Sequence, residues 1–276
     1  MTDTPISPQQ KTLVVDTCAL LDIVRAPIRA SISSEQVRNA LVIEEALRGG
    51  APPIRVIVCG WVADEYERNI DGVVLDVRQR LKSMWNNHRQ ATDVMAVFQG
   101  NSPAAPNADA WISEVIDHGQ RVAKRIIKAC SQLNATADDE RLATLRIRDA
   151  RPPSHKGKAS LADAVVTKLA LRITREDGLG SDGRPQTVLL SSNTNDFCDG
   201  KWLKRDLQRE FDAVGLNFVT TWSAARYFCL PPPTERLRMD SKQLGSLRNN
   251  LSIYFRNRCR DITKPNLTTQ SKVACI

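Results

Sequence analysis

The sequence has few aromatic residues, few histidines and no long hydrophobic run, and these shortages exclude several classes of protein. Aromatic residues make up 5% of the 276 positions, and there are three histidines. No apolar stretch approaches the length of about 18 residues that a transmembrane helix needs. The N-terminal segment, MTDTPISPQQK, lacks the basic start and apolar centre of a signal peptide. We therefore expect a soluble cytoplasmic protein without a membrane partner.

Cysteine is present but not in a pattern that binds a metal or forms a disulfide framework. The seven cysteines are an odd number, are widely spaced and include no C-x-x-C pair. Cys59 and Cys229 lie inside apolar runs, where a reduced cysteine behaves as a small hydrophobic residue. Because histidine is also scarce, any metal ion would be held mainly by oxygen atoms.

The positive charge is concentrated at the C-terminal end of the chain. The net charge is +8, and positions 231–276 contain nine Lys and Arg residues against three Asp and Glu residues. Such a surplus favours a polyanionic partner, nucleic acid before a membrane surface, although a merely solubilising tail has the same composition. The proline-rich segment CLPPPTERL precedes this surplus. We therefore predict a main domain over 11–229 and a basic C-terminal extension over 230–276.

The hydrophobic pattern predicts an α/β fold. Short apolar runs at 12–16, 54–58, 187–191 and 217–220 are typical of buried strands. Helical patterns, such as SSEQVRNALVIEEALRG and ASLADAVVTKLALRIT, lie between them. Buried strands alternating with helices indicate a parallel sheet covered by helices on both faces, an α/β/α sandwich.

The segment 70–150 interrupts this alternation. Its pattern predicts helix only, in three pieces near 71–98, 109–134 and 138–149, with the linker QGNSPAAPNADA between the first two. We therefore predict an all-helical insertion within the main domain.

Acidic side chains follow the predicted strands or begin the predicted helices. Asp16 ends the first strand, Glu65 lies in the first turns of the helix that follows the second strand, and Asp163 comes three residues after Ser160 in a capping-box-like start. Asn193 and Asp196 follow the third strand. Ligands of open parallel sheets bind at the carboxyl ends of the strands, so these side chains are expected to converge there. Carboxylates in such proximity repel one another unless a cation neutralises them, and oxygen ligands suit Mg²⁺ or Mn²⁺.

Each of these residues also has an ordinary structural interpretation. Asp16 could cap a loop, Asp163 could belong to a capping box, Glu65 could face a helix dipole, and Asp196 could stabilise an Asx-turn. The functional interpretation depends on all four occurring in order at four strand ends or helix starts.

Four segments resemble the successive motifs of PIN-domain proteins, a family that includes the toxin ribonucleases of bacterial toxin–antitoxin pairs. They are LVVDTCALLD, VADEYERN, ASLADAVVTKLAL and LLSSNTNDF, and the similarity covers about 11–68 and 151–229. The run RPPSHKGKASLADAVV is similar to larger bacterial members, which often carry a basic loop before the third acidic motif.

The resemblance implies a PIN-like fold and a metal-dependent endoribonuclease that hydrolyses RNA with water activated by Mg²⁺ or Mn²⁺. It implies catalysis by Asp16, Glu65, Asp163 and Asp196, and metal binding by these four together with Asn193. Asn193 stands where family members often have aspartate. This departure argues against a second metal ion and is compatible with a non-catalytic PIN-like module that binds RNA or protein. An antitoxin-like partner and a homo-oligomer are further expectations.

The substrate would contact hydroxyl and basic side chains beside the acids. Thr17 and Ser192 could hydrogen-bond a carboxylate or a phosphate, and His155, Lys156 and Lys158 could hold the RNA backbone, unless they form only a solvated loop. A phosphatase of the haloacid dehalogenase type is a third interpretation, but its chemistry needs an acid two residues after Asp16, where this chain has Cys18.

Overall fold

The fold is seen in a computed structural model that describes residues 10–49, 52–99, 107–154, 160–181 and 183–230, without the side chains of 96–99. The strands are β1 (Lys11–Val15), β2 (Ile54–Cys59), β3 (Ser131–Leu133), β4 (Thr187–Leu190), β5 (Cys198–Asp199), β6 (Trp202–Leu203) and β7 (Asn217–Val219). The helices are α1 (Thr17–Arg25), α2 (Ser34–Ala46), α3 (Gly60–Gln99), α4 (Ala108–Ala129), α5 (Ala137–Arg148), α6 (Leu161–Asp177), α7 (Thr194–Phe197), α8 (Arg205–Asp212) and α9 (Trp222–Cys229). The predicted extension, 230–276, lies outside the described residues except for Leu230.

Five parallel strands form the central sheet in the order β3-β2-β1-β4-β7. The register pairs Leu13 with Val56 on one side and with Val188 on the other, and all three side chains are buried. Strands buried on both faces need the near-continuous apolar runs that the sequence contains. The helices flank this sheet, with α5 packed on α6 and α2 packed on α9. The predicted parallel α/β/α sandwich is confirmed.

The strand order places a topological switch point between β1 and β4. From β1 the chain proceeds to β2 and then to β3 on one side, whereas β4 and β7 lie on the other side. The connections that leave the carboxyl ends of β1 and β4 therefore diverge. Such a switch point is where open parallel sheets bind ligands.

The prediction that 70–150 is helical throughout is wrong at one place. Positions 131–133, expected to end a helix, form β3, which pairs in parallel with β2. This edge strand has the sequence SQL, so no apolar run marks it. The helices of this region also belong to the main packing, because α3 and α4 contact α1, and α5 contacts α6.

Helix α3 joins two predicted helical segments, the one whose first turns contain Glu65 and the one near 71–98. It starts at Gly60, directly after β2, and extends for 40 residues, or about 60 Å at 1.5 Å per residue. A Cβ atom at Gly60 would lie 2.9 Å from the Asn134 Oδ1 atom, so glycine permits the close approach at this junction. None of the helices in the described ranges is both long and apolar enough to cross a membrane.

Candidate functional site

Asp16 lies at the carboxyl end of β1 and caps the N-terminus of α1. The Thr17 backbone N–H donates to Asp16 Oδ1 at 2.7 Å, and the Ser191 hydroxyl donates to Asp16 Oδ2 at 2.7 Å. The carboxyl group has no solvent exposure. Because Ser191 directly follows β4, this second hydrogen bond joins the carboxyl ends of β1 and β4.

Glu65 joins the site from the second turn of α3. The Thr17 hydroxyl donates to Glu65 Oε2 at 2.7 Å, and Thr17 is itself almost fully buried. The uninterrupted passage from β2 into α3 brings Glu65 to the first residue of α1. Thr17 therefore links the first two acidic motifs through its backbone and its side chain.

Asp163 is buried in the first turn of α6. The Ser160 hydroxyl donates to Asp163 Oδ2, and Ser160 makes no side-chain cap to the helix. The capping box expected from the Ser160–Asp163 spacing is therefore wrong. The Ser160 hydroxyl binds the Asp163 carboxylate and does not accept a hydrogen bond from a backbone N–H of the helix.

Asn193 joins Asp163 to Asp196 through its side-chain amide. Asn193 Nδ2 donates to Asp163 Oδ2 at 3.1 Å and to Asp196 Oδ2 at 2.7 Å. The Asn193 backbone N–H donates to the Ser191 hydroxyl at 3.2 Å. The Ser191 hydroxyl in turn donates to Asp16, so the third and fourth acidic motifs are connected with the first.

The resulting hydrogen-bonded set is called the acidic network below. It contains the side chains predicted to carry catalysis, the amide between two of them, and three hydroxyl groups: Asp16, Glu65, Asp163, Asp196, Asn193, Thr17, Ser160 and Ser191. The Asn193 amide nitrogen acts here as a hydrogen-bond donor. A metal ligand would instead have to offer an electron pair to the ion.

Burial and the neighbouring negative charges both raise the pKa of Asp16. Burial raises the pKa of Asp16 to about 8, the negative charges of Asp163 and Glu65 add to the rise, and the donors Ser191 and Thr17 oppose it. The neighbouring Cys18 thiol has its pKa raised by burial and then by Asp16. The uncharged form of the Asp16 carboxyl group therefore persists to higher pH than it does in water.

The donor set fits a hard divalent cation only if few protein ligands bind it directly. Among the described residues, no three His, Cys, Asp or Glu side chains are grouped so that they could hold a metal ion together. Mg²⁺ commonly uses one or two carboxylates and completes its shell with water and phosphate oxygens. A dication beside Asp16 and Asp163 would reverse the electrostatic effect that raises the Asp16 pKa. Carboxylate oxygens, the acceptors in this network, are of the ligand type that Mg²⁺ and Mn²⁺ prefer.

The structure places the predicted substrate-binding residues in different surroundings. Thr17 lies in the acidic network, whereas the Ser192 Oγ atom is buried and has no hydrogen-bond partner within the described part of the chain. The hydroxyl that contacts Asp16 belongs to Ser191, so Ser192 does not make the expected carboxylate contact. His155, Lys156 and Lys158 lie outside the described residues.

Sequence reasoning missed the carboxylate contacts of Ser160 and Ser191. Ser191 ends the predicted strand 187–191, where its position was the only signal available, and Ser160 was interpreted as a helix cap. No family model matches the sequence, and no curated protein matches it either.

Proposed function

We propose that this protein is a PIN-like, metal-dependent endoribonuclease that hydrolyses phosphodiester bonds in RNA. The observation that carries this proposal is the acidic network, in which four motifs distant in sequence meet at the switch point between β1 and β4. A cytoplasmic location, a homo-oligomer and an antitoxin-like protein partner belong to the same proposal, and the protein partner derives from the resemblance to toxin ribonucleases.

Asp16 and Asp163 would hold Mg²⁺ or Mn²⁺, which supplies charge stabilisation to the reacting phosphate and activates water. Thr17 holds the Glu65 carboxylate toward Asp16, where Glu65 can accept a proton from the attacking water. Ser191 and Ser160 hold the Asp16 and Asp163 carboxylates in position. Asn193 sets the separation of Asp163 from Asp196.

RNA is supported as the substrate by charge as well as by the resemblance. The net charge of +8 and the surplus of basic residues in 231–276 favour binding of a polyanion. The basic run RPPSHKGK, which precedes Asp163 in the sequence, would bring further cations to the phosphate backbone.

The test is RNA cleavage by the purified chain in Mg²⁺ or Mn²⁺, compared with the Asp16→Asn and Asp163→Asn variants. We expect both variants to lose at least about 100-fold in rate, as for removal of a group acting on transition-state charge. Asp64→Asn is the matched control, because Asp64 precedes Glu65 and its side chain is exposed. Undiminished cleavage by Asp16→Asn protein would remove the proposal.

A second candidate is a PIN-like module that binds RNA without cutting it. It is favoured by Asn193, whose amide donates to two of the carboxylates, and by the lack of a three-ligand metal group among the described residues. RNA binding that is equally strong in Mg²⁺ and in chelator, without cleavage in either, would support this candidate.

A further inference from the structure

Trp202 is unusually exposed for a tryptophan. Its relative exposure is 81%, compared with 63% for Tyr227 and 43% for Trp111. Tryptophan is highly buried on average, because its side chain removes a large apolar area from water when it packs. An indole ring left open to solvent therefore points to a contact that forms outside the folded chain.

The backbone that carries Trp202 is held in a tight hairpin. Strands β5 and β6 are antiparallel and pair Asp199 with Trp202, so that Gly200 and Lys201 form a two-residue turn. Gly200 has φ of +60° at the first central position, which glycine occupies in type II′ hairpin turns. The indole ring therefore extends from a short, defined loop.

The base of this hairpin is attached to the core and to the acidic network. The Lys204 backbone N–H donates to the Phe197 carbonyl at 2.9 Å, and Phe197 is fully buried and stacks on Phe218 with ring centroids 5.3 Å apart. Lys204 Nζ donates to the backbone carbonyl of Asp196 at 2.8 Å. The hairpin therefore directly follows helix α7, which carries Asp196 of the acidic network.

We propose that Trp202 is a stacking platform for a base of single-stranded RNA beside the scissile phosphate. The proposal deepens the nuclease proposal and rests on it for the identity of the polymer. A base stacked on an aromatic side chain needs an open ring face and nearby positive charge for the phosphates. Trp202 has the open face, and Lys201 and Arg205 on either side of it in sequence are exposed. A duplex keeps its bases stacked inside, so the platform selects single strands.

The experiment measures affinity for a short single-stranded oligouridylate and for an RNA duplex of equal length. It uses full-length Asp16→Asn protein in chelator, so that cleavage does not interfere. We expect Trp202→Ala and Trp202→Leu to raise the Kd for the single strand by about 5- to 150-fold. Trp202→Phe should retain most of the affinity, and the duplex Kd should change little. Trp111→Ala, which removes another exposed tryptophan on α4, is the matched control and should leave both Kd values unchanged.

Three outcomes would overturn the stacking proposal. They are a single-strand Kd unchanged in Trp202→Leu, an equal loss for single strand and duplex, and no binding of single strands by the parent protein. The first of these outcomes, accompanied by loss of self-association in Trp202→Leu, would assign the ring to a second copy of the chain.

Failure of this proposal can be distinguished from failure of the nuclease proposal. If wild-type protein cleaves RNA but the Trp202 variants bind single strands normally, only the stacking role fails. If no protein cleaves RNA but Trp202→Leu loses single-strand affinity, the nuclease assignment fails and the platform stands. Thermal unfolding of the Trp202 variants should match wild type, since the ring is exposed.

Discussion

Replacement of Asp16 by asparagine should stabilise the folded protein while it removes activity. The Asp16 carboxyl group is fully buried, and burial, Asp163 and Glu65 together raise its pKa from 3.8 to about 8. At pH 7 the difference between 7 and 3.8 corresponds to about 4 kcal/mol of lost stability, at 1.36 kcal/mol for each pH unit. Asparagine removes this loss because it does not ionise.

The expected gain is smaller than this ceiling. The asparagine oxygen can still accept from the Thr17 N–H, but its amide group faces the Ser191 hydroxyl, which now donates to the carboxylate. A disturbed buried hydrogen bond costs about 1–3 kcal/mol. We therefore expect Asp16→Asn to raise the free energy of unfolding by about 2 kcal/mol at pH 7, which corresponds to about 4–8 °C in Tm.

The gain in stability from Asp16→Asn should increase as pH rises. Since the folded-state pKa of Asp16 lies above its unfolded value, unfolding releases a proton between pH 4 and pH 8. The stability of wild type relative to Asp16→Asn should therefore fall as pH rises through this window and level off above about pH 8.

The assay is urea unfolding at several pH values in chelator, with and without added Mg²⁺. Bound Mg²⁺ should stabilise wild type at pH 8 and affect Asp16→Asn much less, because binding requires the ionised carboxylate. Asp64→Asn, which removes an exposed carboxylate, should keep the wild-type pH dependence. An Asp16→Asn protein less stable than wild type at pH 8 in chelator would refute the reasoning.

Three further predictions test the surroundings of the site. Asn193→Asp adds a carboxylate to two others, so it should lower Tm in chelator and strengthen the Tm increase caused by Mn²⁺; a lower Tm in both conditions would contradict this. Glu210→Gln should destabilise the fold by about 3 kcal/mol in urea unfolding, because it removes the carboxylate paired with the buried Arg146 guanidinium; unchanged stability would show that the pair is dispensable. Deletion of 231–276 should weaken RNA binding and flatten the dependence of log Kd on log salt concentration, whereas an unchanged slope would mean that this segment makes no phosphate contacts.

The apolar strands of the sheet were predictable because burial on both faces requires a local signal. The runs at 12–16 and 54–58 match β1 and β2 within one residue at each end. Strand β3 had no such signal, because its sequence, SQL, is largely polar and the strand exists through pairing with β2. The helical turns around Glu65 and the helical segment near 71–98 were both predicted, and the structure shows that they form one helix, α3.

In the site, the sequence could indicate the acids but not their partners. Asp16 and Asp163 could be identified because the sequence alone shows that a carboxylate directly follows a predicted strand or lies in the first turn of a predicted helix. The contact from Ser191 to Asp16 joins residues 175 positions apart, and it exists only because β4 pairs with β1. The donor role of Asn193 depends likewise on α6 and α7 meeting at one edge.

The sequence by itself determined that a buried parallel sheet forms and that acidic side chains follow its strands, because hydrophobic period and strand-end position are local properties. Only the tertiary structure decided which hydroxyl or amide holds each carboxylate and how far the Asp16 pKa rises. Those properties depend on distances and burial, which arise when separate segments pack together.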